Sequence, residues 1–141
     1  MSEVRIRDGS ADALDKIRGL RDVALMESAV LVEGECIVRC PVKTGHLRGS
    51  ISRKVRLSSG RTEGTDKDGG LEGSPAEEGE ALIGTNVSYA PHVEYGTKFQ
   101  SAQPFMRPGA VAAEASVKRI FQTRLGQSVN VTRFKEVTSV V

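Results

Sequence analysis

A chain of 141 residues has the length of one domain and can bury a modest core. Its hydrophobic content of 38% and aromatic content of 4% are thin for a free-standing monomer, which favours a protein that completes its burial against copies of itself. A long polar loop would dilute the composition in the same way. The longest apolar run is about four residues, against the ~20 that a membrane span needs, and residues 1–10 lack a signal pattern. We therefore exclude a membrane protein and expect a soluble chain made in the cytoplasm.

The net charge of +2 conceals two blocks of opposite sign. Residues 42–59 hold five basic residues and no acid, whereas residues 60–80 hold seven acids against Arg61 and Lys67. Such blocks indicate surfaces that have different partners or different exposure.

Apolar residues recur at helical spacing from Ala13 onwards, which predicts a long amphipathic helix. Ser10 or Asp8 can cap its start, and Pro41 should end it at about Val38, since the residue before a proline avoids helical geometry. The residues expected to face inward are Ala13, Leu14, Ile17, Leu20, Ala24, Leu25, Leu31 and Val32.

Cys36 and Cys40 are the only cysteines and share one face of this helix. A zinc site would need two further ligands, and His46 and His92 do not lie at a fingerprint spacing to the cysteines. We interpret the pair as buried thiols, and we expect no metal and no other cofactor.

Two strands are predicted downstream of a turn at Thr44 and Gly45. In the first, apolar residues from Leu47 to Leu57 alternate with Arg48, Lys54 and Arg56 and are interrupted by Arg53; the second covers 82–89 and should pair with it antiparallel. Residues 60–80 between them contain six glycines and seven acids, and we expect a flexible acidic loop there.

Residues 83–108 hold both tyrosines and three of the five prolines, and the other elements are organised around them. Pro91 and Gly96 predict a short helical turn at 90–95, with Gly96 left-handed at its end. A second long helix should cover 108–125, stopped by Gly126. Its inward residues should be Val111, Ala113, Val117, Ile120, Phe121 and Leu125. Residues 127–141 form a predicted C-terminal arm, either a strand or a segment that becomes one on a neighbour. The fold class is α+β, in a single domain over 1–141.

Two segments of the chain resemble a tailed-phage morphogenesis family. The first segment is Pro41-Val42-Lys43-Thr44-Gly45-His46-Leu47-Arg48, followed by Ser50-Ile51. The second is Tyr89-Ala90-Pro91-His92-Val93-Glu94-Tyr95-Gly96-Thr97, followed by Pro104-Phe105-Met106-Arg107-Pro108. Members of this family are head-tail joining (neck), tail-completion or minor tail-component proteins, and the resemblance covers roughly residues 12–125.

The resemblance implies a structural virion protein in the neck or at the top of the tail, working as a homo-oligomeric ring. Six copies are favoured and twelve come second. The ring would join the head connector to the tail tube and contact head-closure proteins, the tail terminator or both. Genomic DNA would pass through its lumen without sequence specificity. A tail-terminator or minor tail protein is the alternative within this class.

We assign candidate residues to two surfaces. The subunit or partner interface is predicted at Tyr89, Glu94, Tyr95, Phe105, Met106 and Arg107. The lumen or charged surface is predicted at Arg48, Lys54, Arg56, Glu77, Glu78 and Glu80. Glu94 can pair with Arg107, and Arg107 can instead lie at a subunit boundary. Phe105 and Met106 either cap the core or dock on the next subunit, and we favour docking because the flanking prolines preorganise them.

An enzyme is not expected, because no nucleophile elbow, Walker loop or metal triad is present. A sequence-independent DNA-binding protein is the rival class, since the basic face of the first strand can contact phosphates. That strand has no aromatic residue on which bases could stack.

Overall fold

The computed structural model describes residues 10–42, 45–65, 71 and 76–126. The elements in chain order are α1 (Ser10–Arg39), α2 (His46–Ser50), β1 (Ser52–Arg56), β2 (Thr62–Thr65), β3 (Glu80–Gly84), α3 (Ala90–Tyr95) and α4 (Met106–Leu125). The fold class is α+β, with two long helices packed together on an antiparallel three-stranded sheet. The predicted C-terminal arm at 127–141 lies outside the described residues.

Helix α1 begins at Ser10, one of the two residues predicted at its start, and ends at Arg39, one residue beyond the predicted end. Its central residues are buried as expected, with Ala24 at 0% and Val32 at 4% exposure. Leu14 and Ile17 were expected to face inward but are about half exposed. The reason is that α4 does not reach them. Near the end of α4, Arg124 pairs with Glu27 of α1, and Leu14 and Ile17 lie beyond this point. The first turns of α1 therefore extend beyond the layer on which the rest of the helix packs.

The sheet has the order β2-β1-β3, so β1 is the central strand and both of its neighbours are antiparallel. The predicted pairing of the first strand with residues of 82–89 is confirmed, with Ser52 opposite Gly84 and Arg56 opposite Glu80. Arg53, which interrupts the apolar pattern, points towards α1 and pairs with the buried Glu33.

Both predicted strands are longer than the observed ones. Leu47 and Gly49 belong to α2, because Leu47 and Ile51 are also four residues apart on one face of a helical turn, and both are buried. β3 ends at Gly84 because Thr85 turns the chain, its hydroxyl accepting a hydrogen bond from the Val87 N–H at 3.2 Å.

The acidic segment 60–80 is not entirely a loop. Thr62–Thr65 forms β2, so the prediction of a flexible loop is wrong for these residues. Two further contacts anchor the described part of the segment: the Leu71 side chain lies against Gly84, and the carbonyl of Ala76 accepts a hydrogen bond from Arg56 at 3.0 Å. Residues 66–70 and 72–75 lie outside the described residues.

One buried cluster joins α1, the sheet, α3 and α4. Helix α4 starts two residues earlier than predicted and contributes Ala113, Val117 and Phe121 to this cluster, as expected. Val111 was expected to face inward but is 62% exposed, because it lies about two residues out of phase with the buried stripe. Within the described parts of the chain, no helix combines the length and the apolar character that a membrane crossing requires.

The two long helices approach each other closely at Gly109. A Cβ atom added there would lie 2.7 Å from the Cys36 sulfur and 2.9 Å from its backbone nitrogen. Gly109→Ala should therefore lower the free energy of unfolding by about 1–3 kcal/mol, measured by urea denaturation. The matched control is Gly34→Ala in α1, where a Cβ meets nothing within 4 Å, and this change should stabilise by up to ~1 kcal/mol. Equal effects of the two substitutions would contradict this account of the helix contact.

Candidate functional site

A buried carboxylate connects the two parts of the second motif. Glu94, in α3, is 4% exposed, and its oxygens accept hydrogen bonds from the backbone N–H groups of Phe105 (2.8 Å), Met106 (3.1 Å) and Arg107 (3.1 Å). These groups stand at the start of α4, where N–H groups have no partner within the helix. Glu94 thus caps α4 from a different helix, and its negative charge faces the positive end of the α4 dipole.

The expected ion pair between Glu94 and Arg107 is not what the structure shows. Glu94 accepts the backbone N–H of Arg107, while the Arg107 guanidinium lies over the Tyr95 ring at 5.3 Å from its centroid. Arg107 and Tyr95 are both exposed, and so is Tyr89 at 40%. Of the six predicted interface residues, these three lie on the surface, whereas Glu94 is buried.

Phe105 and Met106 are core residues, at 1% and 6% exposure. The prediction that they dock on a partner is wrong, because their side chains are already enclosed by α1 and the rest of the core cluster. The Cys36 thiol donates to the Met106 carbonyl at 3.6 Å, which ties this loop to α1. The two apolar side chains between Pro104 and Pro108 are therefore part of the core.

Position 96 requires a glycine, both because of its backbone conformation and because of the atoms around it. Its φ of 76° is positive as predicted, but its ψ of 171° places it in an extended region that essentially only glycine occupies, not in the left-handed helical region. A Cβ at this position would lie 2.7 Å from the backbone nitrogen of Ala102. The chain then makes a tight turn in which Thr97 and Gln100 pair.

Phe99 is the surface residue that sequence reasoning missed. It sits on the Thr97–Gln100 turn and is 88% exposed, more than any other large hydrophobic residue of the described chain. Its N–H donates to the Thr97 hydroxyl at 3.2 Å, and the Lys98 ammonium lies 4.9 Å from the centre of its ring. The signal available in the sequence was a single aromatic residue next to a lysine, directly after the Gly-Thr end of a helical turn.

The two motifs meet in space. A cleft of about 410 Å³ lies between them. Its lining residues are Pro41, Val42, Gly45 and Leu47 from the first motif, Tyr89 and Val93 from the second, and Gln100 and Gln103 from the loop that follows. The rings of His46 and Tyr89 are 6.5 Å apart across this junction.

A chain of hydroxyl hydrogen bonds fastens the first motif to the strand that leads into the second. The Ser50 hydroxyl donates to the Leu47 carbonyl at 2.7 Å and lies 2.6 Å from the Thr85 hydroxyl. Because the Ser50 proton is used, the Thr85 hydroxyl is the donor of that second bond. The network is fully satisfied and fixes the position of α2.

Cys36 and Cys40 are free and buried, as predicted. Burial raises the pKa of the Cys36 thiol to about 12, with the negative charge of Glu94 acting in the same direction. Burial also raises the pKa of Cys40. Such thiols are poor nucleophiles and poor metal ligands. In the described residues, no group of histidine, cysteine and acidic side chains is arranged to hold a metal ion.

The six residues assigned to a charged surface do not form one patch. Arg48 is exposed on α2, next to the cleft, whereas Arg56 and Glu80 stand opposite each other at the far end of the sheet. Glu77 and Glu78 are exposed in the turn before β3. The half-buried Lys54 completes the basic face of β1.

No protein-family model, curated protein or solved structure matches this chain.

Phe105 and Phe99 can be compared directly by substitution, because one is buried and the other is exposed. Phe105→Ala should lower the free energy of unfolding by about 3–5 kcal/mol, because it opens a cavity in the core. Phe99→Ala should change it by less than ~0.5 kcal/mol, because the ring is exposed. Thermal or urea unfolding of the two variants measures both effects. A destabilised Phe99→Ala protein, or an unaffected Phe105→Ala protein, would contradict the assignment.

Removing the charge of Glu94 tests the cap on α4. Glu94→Gln keeps the shape but offers one carbonyl oxygen to three N–H donors and loses the charge, so it should destabilise by about 1–3 kcal/mol in urea denaturation. The control is Glu114→Gln, which removes only an exposed pair with Lys118 and should cost about 0.3–0.5 kcal/mol. If Glu94→Gln lowers the free energy of unfolding no more than the control does, the cap contributes little to stability.

Proposed function

We propose that this chain is a structural protein of the head-tail junction of a long-tailed phage. Copies of it would form a ring, of six subunits or otherwise twelve, that joins the head connector to the tail tube. DNA would pass through the lumen of the ring. The proposal rests on the two motifs, at 41–48 and 89–108, and on the way in which the fold uses them.

The observation that carries this proposal is that the two motifs form one structural unit. They lie far apart in the sequence, yet they line a common cleft and bring His46 next to Tyr89. Within the second motif, Glu94 binds the N–H groups of residues 105–107. A chance similarity of two short segments gives no reason for the segments to be in contact, whereas a shared signature does.

The exposed apolar residues also support a protein that acts in an assembly. Single exposed hydrophobic residues are normal on any protein. At this end of the molecule, however, Tyr95 and Phe99 are 52% and 88% exposed, on segments whose backbones are held by hydrogen bonds, and Val42 is 59% exposed. Rigid exposed aromatic side chains lose little entropy on docking and suit a protein interface.

Contacts on the basic face of β1 argue against the rival proposal that this face binds DNA. Arg56 donates to the Ala76 carbonyl, Lys54 is half-buried, and the Leu71 side chain lies on Gly84 of the adjacent strand. A phosphate backbone would have to compete with the chain's own acidic segment for this face.

Disruption of the coding sequence in the phage that carries it tests the proposal. Electron micrographs of the lysate should show DNA-filled heads and complete tails that are not joined, and the wild-type protein supplied in trans should restore joined particles. Tails of abnormal length would instead indicate the tail-terminator alternative. Normal joined particles in the absence of the protein would overturn the proposal.

A further inference from the structure

We propose that residues 127–141 pack against the exposed first turns of α1 in the same chain. Their docking site is an apolar surface formed by Leu14, Ile17 and the half-buried Leu20, called here the α1 start face. This contact lies outside the proposed head-tail function and does not depend on it.

The α1 start face continues the buried stripe of the same helix. Leu14 precedes Val32 by 18 residues, which is five turns of an α-helix, so the two side chains leave the helix in the same direction. Ile17 precedes Ala24 by seven residues, almost two turns, and shares its face. Val32 and Ala24 are 4% and 0% exposed, whereas Leu14 and Ile17 are 52% and 47% exposed. Scattered exposed apolar residues are normal, but these two belong to the side of α1 that faces the core.

Helix α4 covers the centre of this side of α1 and stops before its start. The Cys36 thiol of α1 donates to the Met106 carbonyl at the beginning of α4, and Glu27 of α1 pairs with Arg124 near the end of α4. The two helices are therefore antiparallel. The direction of α4 leads along α1 from Glu27 towards the α1 start face.

Residues 127–141 follow α4 at this point, and they lie outside the described residues. From Glu27 back to Ile17 and Leu14, α1 rises by about 15–20 Å. A segment of 15 residues can span up to about 50 Å. The segment is consequently long enough to reach all of the α1 start face from the end of α4.

Composition distinguishes this segment from the other parts of the chain that lie outside the described residues. Six of its 15 residues are valine or phenylalanine, and three are charged. Residues 1–9 hold three apolar side chains and four charged ones. Residues 43–44, 66–70 and 72–75 contain no valine, isoleucine, leucine, methionine or phenylalanine. Phe134 offers the largest apolar area of residues 127–141 and would be the central contact.

The tether favours the same chain over a second copy. A segment that is joined to its site by a short length of chain binds at an effective concentration on the order of millimolar. A second copy would have to be present at a comparable concentration to compete for the site. We therefore assign the α1 start face to residues 127–141 of its own chain.

A nitroxide at position 139 tests the contact directly in the full-length protein. In Ser139→Cys the label attaches selectively, because Cys36 and Cys40 are buried and burial raises the pKa of both thiols. Amide NMR signals of residues 14–20 should lose most of their intensity relative to the reduced, diamagnetic label, whereas those of α3 should keep theirs. Unbroadened signals of residues 14–20 would overturn the proposal.

A mixed sample separates the same chain from a second copy. Isotope-labelled protein without nitroxide is mixed with nitroxide-bearing protein that has no isotope label, so only contacts between chains can broaden the signals. No broadening is expected. If the mixture shows the broadening of residues 14–20, the segment docks on a second copy and the proposal is wrong.

Two substitutions on α1 form a matched pair for the docking site. Ile17→Asp should abolish the broadening, because it places a charge in the apolar contact. Val30→Asp makes the same chemical change at a residue of nearly equal exposure, 49%, on the opposite side of α1, and should leave the broadening unchanged. Equal effects of the two substitutions would contradict the assignment of the face.

Amide hydrogen exchange distinguishes the two chain segments that could cover the face. Phe134→Ser with Val137→Ser should speed exchange of the amides of residues 14–20 by about tenfold or more, because the first turns of α1 lose their cover. Val4→Ser with Ile6→Ser should leave that exchange unchanged. If the second pair of substitutions has the effect instead, residues 1–9 cover the face. If neither pair has it, the face stays open to solvent, and either result overturns the proposal.

Discussion

The structure depends on one buried carboxylate. An ionised side chain that is removed from water is costly unless hydrogen bonds replace its hydration, and Glu94 receives three from the first turn of α4. The dipole of that helix adds a further favourable interaction at its positive end. With α3 and the start of α4 joined in this way, the chain between them has both ends fixed. The 97–100 turn is consequently held in place, with Phe99 at its tip, although it buries almost nothing itself.

The first motif is joined to this unit by small polar groups. The hydroxyl chain through Ser50 and Thr85 fastens α2 to the end of β3, and the Gln103 N–H donates to the Val93 carbonyl at 2.8 Å on the other side of the cleft. A composition with few aromatic residues limits the size of the core. Directional hydrogen bonds therefore position this end of the molecule where apolar burial alone would leave it loosely specified.

Local signals predicted some parts of the fold and tertiary context decided the rest. Pro91 and Gly96 marked α3 correctly, since proline and glycine restrict the backbone regardless of their surroundings. β2 was not predicted because it contains a glycine and a glutamate, which are uncommon in strands. Gly64 is nevertheless needed there, because a Cβ would collide with the backbone carbonyl of Arg53 on the neighbouring strand. The inward direction of Phe105 and the exposure of Phe99 depend on the position of α1, which no spacing within residues 96–108 encodes.

The way in which α4 is capped also determines the charge of the surface. Helices are commonly capped by a serine, threonine or aspartate that precedes them, and such a residue remains close to solvent. Here the capping carboxylate comes from another helix and is buried, which removes the only acid of residues 81–113 from the surface. Lys98 and Arg107 are left without an acidic neighbour on their own segment, and their cations lie on aromatic rings instead. The interaction that stabilises this end of the fold thus also makes it cationic.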